Sequence, residues 1–286
     1  MSVRRVQDAL VAALGPDAHV EHRFNHTGTD KLSFEVHVRG RALWVKVAAN
    51  EDADWPLTTW SRVAQLLAER HAAPPLLDTL AVDGRTALVF PFIDVPVATR
   101  GTLRERFDEA RSVLTGLHGD AALADLLGPP TTTAACLRAV WLERFVADLD
   151  IIEGYVEKAV HAYLSDEVEA LGMLFDALDG PVDAPVHGDP WHENFLVSPE
   201  RLWLLDWKDL SVGDPVVDDA ILLHDALGTD PHRWPDEPLH AVARRALMLD
   251  AVVDVAADWV ENTDPLVRRR KEAAYLAGLE AYRAAF

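Results

Sequence analysis

The sequence predicts an α+β protein with a small β-rich N-terminal part and a larger, mostly helical C-terminal part. Apolar residues recur with a period of two through much of the first hundred positions and with a helical period from about Arg100 onward. One short β interruption, at 193–207, sits inside the helical part.

The start, MSVRRVQDALVAALGP, reads as an amphipathic helix, because Asp8 interrupts any clean apolar segment. Leu32, Phe34, Val36 and Val38 then alternate with polar residues, Arg39-Gly40-Arg41 turns, and Leu43, Val45 and Val47 resume the alternation on a return strand. A helix is expected from about Thr58 to His71, with Trp60, Val63, Ala64 and Leu67 on one face and Pro74-Pro75 ending it. A further strand spans Thr86 to Phe92. Helices are expected at 102–119, 135–148, 150–179, 216–227, 236–262 and 264–284. The two parts meet near 93–98, which gives an N-terminal domain 1–95 and a C-terminal domain 96–286.

A chain of 286 residues with 49% hydrophobic and 26% charged residues can bury a sizeable core and is neither disordered nor collagen-like. Its 27 Lys+Arg against 47 Asp+Glu give a net charge of −20, which repels phosphate backbones and anionic lipid. Nucleic-acid and membrane partners are therefore set aside; the oligomeric state is not legible. The single Cys136 excludes an internal disulfide and a cysteine-based zinc site. No apolar run approaches the ~18 residues of a membrane span, so a cytoplasmic protein is the default expectation. Only 5 of the basic residues are Lys, so a lysine inside a motif carries weight.

The β interruption carries the chemistry. Phe195-Leu196-Val197 and Leu202-Trp203-Leu204-Leu205 flank Ser198-Pro199-Glu200-Arg201, a hairpin signature. With the turn centred on position 200, Phe195 faces Leu205 and Asn194 faces Asp206, Cβ atoms roughly 5 Å apart. An amide oxygen and a carboxylate at that spacing suit Mg²⁺, with substrate phosphates completing its shell. Asp189, five residues before Asn194, is free to face a substrate hydroxyl. Phosphoryl transfer needs such an arrangement: an oriented nucleophile, metal on the phosphates and a held nucleotide.

His187-Gly188-Asp189 with Asn194, followed by Asp206-Trp207-Lys208-Asp209-Leu210-Ser211-Val212-Gly213-Asp214-Pro215-Val216-Val217-Asp218, resembles the aminoglycoside phosphotransferase family and its choline, fructosamine, homoserine and methylthioribose kinase relatives. The resemblance implies a two-lobed protein-kinase-like fold, ATP and Mg²⁺. It implies Asp189 as catalytic base, Asn194 and Asp206 as metal ligands, and Asp214 and Asp218 as braces of the catalytic loop. Leu117-His118 is similar to the Leu-His that ends the first helix of the family's C-lobe. His187 and His192 lack a zinc pattern.

On the nucleotide side, Lys46 lies on the return strand, on the face opposite Val45 and Val47, where a kinase-like small lobe offers its Lys to the phosphates. The loop Phe24-Asn25-His26-Thr27-Gly28-Thr29-Asp30 is a candidate phosphate cover through Gly28, although one glycine does not make a Gly-rich loop. Phe92 and Ile93 lie where the interlobe hinge should meet the adenine. The family's Glu on the helix after the Lys strand is missing: Trp60 falls near that slot, and Glu51, Asp52 and Asp54 are the candidate substitutes. Trp191 stands where aminoglycoside kinases carry His and fructosamine-kinase-like members carry Trp.

Asp250, Asp254 and Asp258 recur every four residues, so they share one helix face, which Glu261 extends. With Trp191 they are the candidate acceptor residues, unless the stripe is a solvated face. The expected activity is ATP-dependent phosphorylation of a hydroxyl on a small, cationic, amine-bearing molecule such as an aminoglycoside, which would place the protein in antibiotic resistance. A metabolic kinase of the fructosamine, amino-sugar, choline or homoserine type is the runner-up. A catalytically inactive kinase-like binding module is suggested by the missing helix Glu and opposed by intact Asp189, Asn194 and Asp206.

Overall fold

The computed structural model of the chain describes residues 2–23 and 31–286. Gly28 and its loop lie outside the described residues. The chain divides into two compact units, Met1–Gly128 with Asp189–Ser211, and Pro129–Gly188 with Val212–Phe286.

The first unit is built on a five-stranded antiparallel sheet of β1 (His19–Arg23), β2 (Lys31–Val38), β3 (Arg41–Ala48), β4 (Asp78–Val82) and β5 (Arg85–Pro91), in the order β1-β2-β3-β5-β4. The alternation read from sequence sets its two faces. Phe34, Val36, Val45, Val47 and Val89 form one face and pack against Val6 and Leu10 of α1 (Val3–Leu14), one helical turn apart. Trp44 and Lys46 point to the opposite face, beside Phe90 and Leu88 across the strand pair. That face is covered by α2 (Asp54–Arg70), which starts earlier than expected and buries Leu57, Trp60, Val63, Ala64 and Leu67. Trp60 stacks on Phe90 with ring centroids 4.9 Å apart.

The hairpin Phe195–Val197 and Leu202–Leu204 belongs to the same unit. Its register differs by one residue from expectation: Phe195 pairs with Leu204, and the Leu205 N–H donates to the Asn194 carbonyl at 2.8 Å. The turn is the reason. Ser198 N–H donates to the Arg201 carbonyl, and the Ser198 hydroxyl accepts from the N–H groups of Glu200 and Arg201. The loop therefore closes around Pro199-Glu200, half a residue before position 200, so Asn194 stands opposite Leu205 and not Asp206.

Three contacts fix the hairpin in place. Ala98 N–H donates to the Phe195 carbonyl and Val197 N–H to the Pro96 carbonyl, adding 96–98 as a third short strand. Leu204 N–H donates to the carbonyl of Ala72, just past α2. The expected helix 102–119 breaks at Arg106, whose guanidinium donates to the Ser198 carbonyl (2.5 Å) and to Glu109, while Glu109 accepts from Leu202 N–H. The break lets one Arg–Glu pair clamp both sides of the turn.

The second unit is helical. The expected helix 135–148 is Thr133–Leu137, a π-helical turn Arg138–Leu142 and Glu143–Ile152, and the expected helix 150–179 is shortened to Lys158–Ala177. Val216–Leu227, Pro238–Glu261 and Pro265–Ala285 match their expectations closely. The long helices bury Val252, Val253, Ala256, Tyr275, Leu279 and Tyr282. Among the described residues no helix is long and apolar enough to cross a membrane.

Gly213 is where this unit is tightest. A Cβ there would lie 2.8 Å from Cys136 Sγ and 2.9 Å from Val186 Cγ2, too close for any side chain. Gly213→Ala is expected to lower unfolding free energy by about 1–3 kcal/mol, the usual cost of overpacking. Urea denaturation reads this, and an unchanged midpoint would show that the Cys136–Val186 contact yields freely.

Candidate active site

The loop from Ala184–Val186 to the hairpin is held by its backbone. In the second unit the Asp218 carboxylate accepts from the N–H groups of both His187 and Gly188, each at 2.8 Å, and Gly188 has φ +88°, a left-handed turn that a Cβ would strain. Asp218 is fully buried, so this brace is shielded from water. Asp214 accepts from the Thr133 hydroxyl (2.7 Å) and from Val216 N–H (2.9 Å), which ties the start of helix Val216–Leu227.

In the first unit, Asp189 and Asn194 close a tight loop. The Asn194 amide nitrogen donates to the Asp189 carbonyl (2.7 Å) and to its carboxylate (3.0 Å), and Asn194 N–H donates to the Trp191 carbonyl (2.9 Å). Both amide hydrogens are thus assigned, so Oδ1 is the atom Asn194 can offer to a cation. The Asp189 carboxyl is pushed up to about 7, by burial first, with Asp209 and Asp206 pushing the same way and Lys208 and the Asn194 amide opposing. Burial pulls the Lys208 ammonium down, but Asp209, Asp206 and Asp189 outweigh it and hold it above the ordinary lysine value. Lys208 escaped the sequence reading as a site residue. Its signal was there: one of five lysines, two positions past Asp206.

Asp206 sits at φ +59°, ψ +56°, a conformation uncommon for any residue but Gly. The strand has ended at Leu204, and this left-handed residue turns the chain into the short helix Trp207–Asp209. Trp207 anchors that helix from the core, fully buried, with its indole N–H donating to the Leu204 carbonyl. Asp206 Oδ1 accepts from the Lys46 ammonium at 2.9 Å, with both side chains about 15% exposed. Lys46 also lies 5.6 Å from the centroid of the Trp60 ring.

The partner of Lys46 is therefore Asp206. Of the carboxylates near α2 that sequence offered, Asp54 accepts from Thr86 N–H, Glu51 lies 3.9 Å from Arg85, and Asp52 is solvent-exposed.

Lys46 and Asp206 form the polar end of a cavity of about 220 Å³. Trp44, Trp60, Phe90, Phe92, Leu196 and Leu205 give it apolar walls, and Ile93 borders it. The hinge residues expected from sequence, Phe92 and Ile93, thus line it. Phe92 N–H is already given to the Ala42 carbonyl, and the Ile93 carbonyl accepts from Val95 N–H. The chemistry of the donor set, a carboxylate on Asp206 and an amide oxygen on Asn194, is of the oxygen type that Mg²⁺ takes.

Residues 21–254 match the model of the phosphotransferase enzyme family, well over half of the chain. The chain belongs to that family. Family members of this kind transfer a phosphoryl group to a hydroxyl of a small molecule, and this chain is a small-molecule kinase. Among curated proteins none matches it in sequence. Solved structures match it over nearly their full length. Spectinomycin phosphotransferase in complex with ADP and spectinomycin is 12% identical, with a TM-score of 0.62, covering 99% of this chain and 98% of that one. An aminoglycoside 2′-phosphotransferase variant bound to GDP is 15% identical with a TM-score of 0.64, covering 99% and 97%. The macrolide 2′-phosphotransferase of Brachybacterium faecium is 18% identical with a TM-score of 0.56, covering 95% and 98%. At these identities the likeness shows the fold: the phosphotransferase has the α+β, protein-kinase-like architecture that the resemblance implied.

The second unit of this phosphotransferase gathers another set of charges. The helix Pro238–Glu261 carries Asp250, Asp254 and Asp258, and Glu143–Ile152 brings Arg144 and Asp148 beside them. Arg144 donates to Asp250, and Lys271 to Asp258. Asp148 is 9% exposed, and its Oδ2 has no hydrogen-bond partner among the described residues. Its carboxyl is pushed up to about 6, by burial first and then by Asp254. Asp250 is pushed to about 6 in the same way, against the pull of Arg144. Within the stripe Asp250 and Asp254 are half-buried beside Asp148, whereas Asp258 and Glu261 are solvent-exposed. Trp191, the other acceptor candidate, is half-buried in the first unit with its ring edge-on to His192, 5.2 Å away.

The hairpin geometry separates two substitutions. Asp206→Ala should abolish Mg²⁺-dependent nucleotide binding, because it removes the partner of Lys46 and the carboxylate expected to hold the cation. Asn194→Ala should weaken that binding less yet depress turnover strongly, because it frees the Asp189 loop. Calorimetry with Mg·ATP alongside steady-state rates checks this; equal, small effects of the two on binding would dismiss the pair as cation ligands.

Proposed function

We propose that this phosphotransferase moves the γ-phosphoryl group of ATP, with Mg²⁺, to a hydroxyl of a small amine-bearing molecule, with aminoglycoside-type antibiotics as the leading acceptors. The observation that carries the acceptor class is the carboxylate cluster of the second unit, with its unpartnered Asp148 oxygen and two carboxyls raised to about 6. Arg144 and Lys271 are set against Asp148, Asp250, Asp254, Asp258 and Glu261, so the cluster is short of positive charge. An ammonium-bearing acceptor would relieve that shortage at Asp250, Asp254 and Asp258. A fructosamine-type acceptor is the second reading, favoured by Trp191 and equally able to bring an amine.

In this mechanism the adenine takes the aromatic end of the cavity, against Phe92 and Ile93, and Lys46 meets the phosphates at the polar end. Asn194 Oδ1 and Asp206 would hold Mg²⁺, which would supply neutralisation of phosphate charge. Asp189 accepts the proton of the attacking hydroxyl, and a carboxyl raised to about 7 is suited to that exchange near neutral pH. Asn194 fixes the direction in which the Asp189 carboxylate points. Phosphoryl transfer asks little else of the protein than such positioning and charge. A cytoplasmic location would give access to ATP.

Asp189→Asn should lower turnover by about a hundredfold or more, the scale of general-base loss, with Mg·ATP affinity within a few-fold of wild type. Turnover close to normal would remove Asp189 from the mechanism. The acceptor class is read by ADP release across a panel of aminoglycosides, fructosamines, choline and uncharged sugars; preference for uncharged sugars would refute the amine.

The Asp148 carboxyl also gives a stability prediction. Its folded value, about 6, lies above its unfolded value of 3.8. The fold therefore favours the protonated form. Stability from this group is fully present below about pH 4 and is lost as pH rises through 6. Asp148→Asn should raise the melting temperature at pH 8 by roughly 3 °C or more, with the gain shrinking toward zero at pH 4. A gain independent of pH would assign the effect to packing.

A further inference from the structure

Lys46 has an unusual set of neighbours. A lysine that must present its ammonium to phosphates needs something to hold it there, and the resemblance implies a glutamate from the next helix. Among the described residues the contacts of the Lys46 ammonium are the Asp206 carboxylate, 2.9 Å away, and the face of the Trp60 indole, 5.6 Å from its centroid. Asp206 is also the carboxylate that a divalent cation would take. Once its charge is shared with a divalent cation, its hold on the ammonium weakens. The indole face is the contact that a metal does not compete for.

The placement of Trp60 suits that task. It is 2% exposed and stacked on Phe90 at 4.9 Å, so its plane is fixed by β5 and α2 and not by the ligand. Among the described residues its buried indole nitrogen has no hydrogen-bond partner, although a buried indole N–H usually finds an acceptor. The side chain is therefore not held in place by that polar handle. An ammonium within about 6 Å of an indole centroid is attracted by the ring quadrupole, most strongly where water is excluded. The Lys46 side chain is 14% exposed, which meets that condition.

We propose that Trp60 is a positioning residue for phosphoryl transfer, whose indole face keeps the Lys46 ammonium over the phosphate end of the cavity when Asp206 is engaged by a metal–nucleotide. The proposal rests on the reading of this cavity as an ATP·Mg²⁺ site. It predicts an effect that depends on the metal. Without metal, Asp206 still holds Lys46, and the indole is redundant. With metal, the indole carries the placement.

The experiment is calorimetric titration of wild type, Trp60→Phe and Trp60→Met with the β,γ-imido analogue of ATP, in Mg²⁺ and in EDTA, with adenosine as a ligand that lacks phosphates. Trp60→Met should bind the Mg²⁺ complex about tenfold more weakly than wild type. Because Trp60 is also a wall of the cavity, the metal-free analogue and adenosine should weaken too, but several-fold less than the Mg²⁺ complex does. Trp60→Phe, which keeps a face, should recover most of the loss. Equal weakening of all three ligands by Trp60→Met marks a packing role and overturns the proposal, as does a Trp60→Phe defect as large as that of Trp60→Met. A second measurement needs no variant. In the wild-type complex with Mg²⁺ and the analogue, the Lys46 ε-methylene protons should show the upfield ring-current shift of a group held over an indole. Ordinary lysine shifts in that complex also overturn it. A wild type that binds no Mg²⁺–nucleotide at all defeats the ATP reading and this proposal together, whereas normal wild-type binding with the wrong variant pattern defeats only the role of Trp60.

Discussion

Burial first, and then the nearby carboxylates Asp209 and Asp206, raise the Asp189 carboxyl of the first unit to about 7, and like charges brought together out of water repel. Lys46 on Asp206 and Lys208 beside Asp209 and Asp189 make the arrangement tolerable. The Lys46–Asp206 pair spans a strand of the sheet and the end of the hairpin, so it links two pieces of chain 160 residues apart in sequence. Removing one partner of a pair shielded this well leaves an uncompensated charge, at a cost of about 3 kcal/mol or more. The rest of the unit serves this pair. β3 is directed by the α1-side core so that Lys46 faces the cavity, and the hairpin is tied by Arg106, Glu109, Pro96 and Ala72 so that Asp206 meets it.

The second unit repeats the same physical situation with a different balance. Arg144 and Lys271 hold Asp250 and Asp258, but Asp148 keeps an unpartnered oxygen in a buried position. In both units, charge is concentrated where the described protein groups compensate it only in part. That is the usual signature of a site kept ready for ligands at some cost in stability. It also gives the net charge of −20 a local meaning, since part of the excess is gathered in two clusters and not spread over the surface.

Particular residues show how far the sequence could be read. The β2–β3 hairpin was legible because alternation and the Arg39-Gly40 turn agree, and its register came out as the pattern requires. The His-Gly-Asp and Asp-Trp motifs were legible because they resemble, in residues and in spacing, those of a known phosphotransferase family. The catalytic hairpin was misread by one residue. Its short strands have too few residues for alternation to fix a register, and the Ser198 side chain decided where the turn closed. The helix break at Arg106 was hidden for a related reason: helical periodicity does not reveal a guanidinium that leaves its own helix to bind a distant carbonyl.

By itself the sequence determined the β-rich and helical parts, the faces of the sheet, the reaction class and the identity of Asp189, Asn194 and Asp206 as its candidate groups, because periodicity and motif spacing are local properties of a chain. The tertiary structure alone decided that Lys46 pairs with Asp206 and lies against Trp60, that Lys208 stands beside Asp189, that Asp218, the expected brace, acts through the N–H groups of His187 and Gly188, and that Asp250 and Asp254 lie beside Asp148 and Arg144. Each of these joins residues distant in sequence, most of them through a charge. Coulomb energy and desolvation depend on where the chain returns in space, which no spacing along the sequence records.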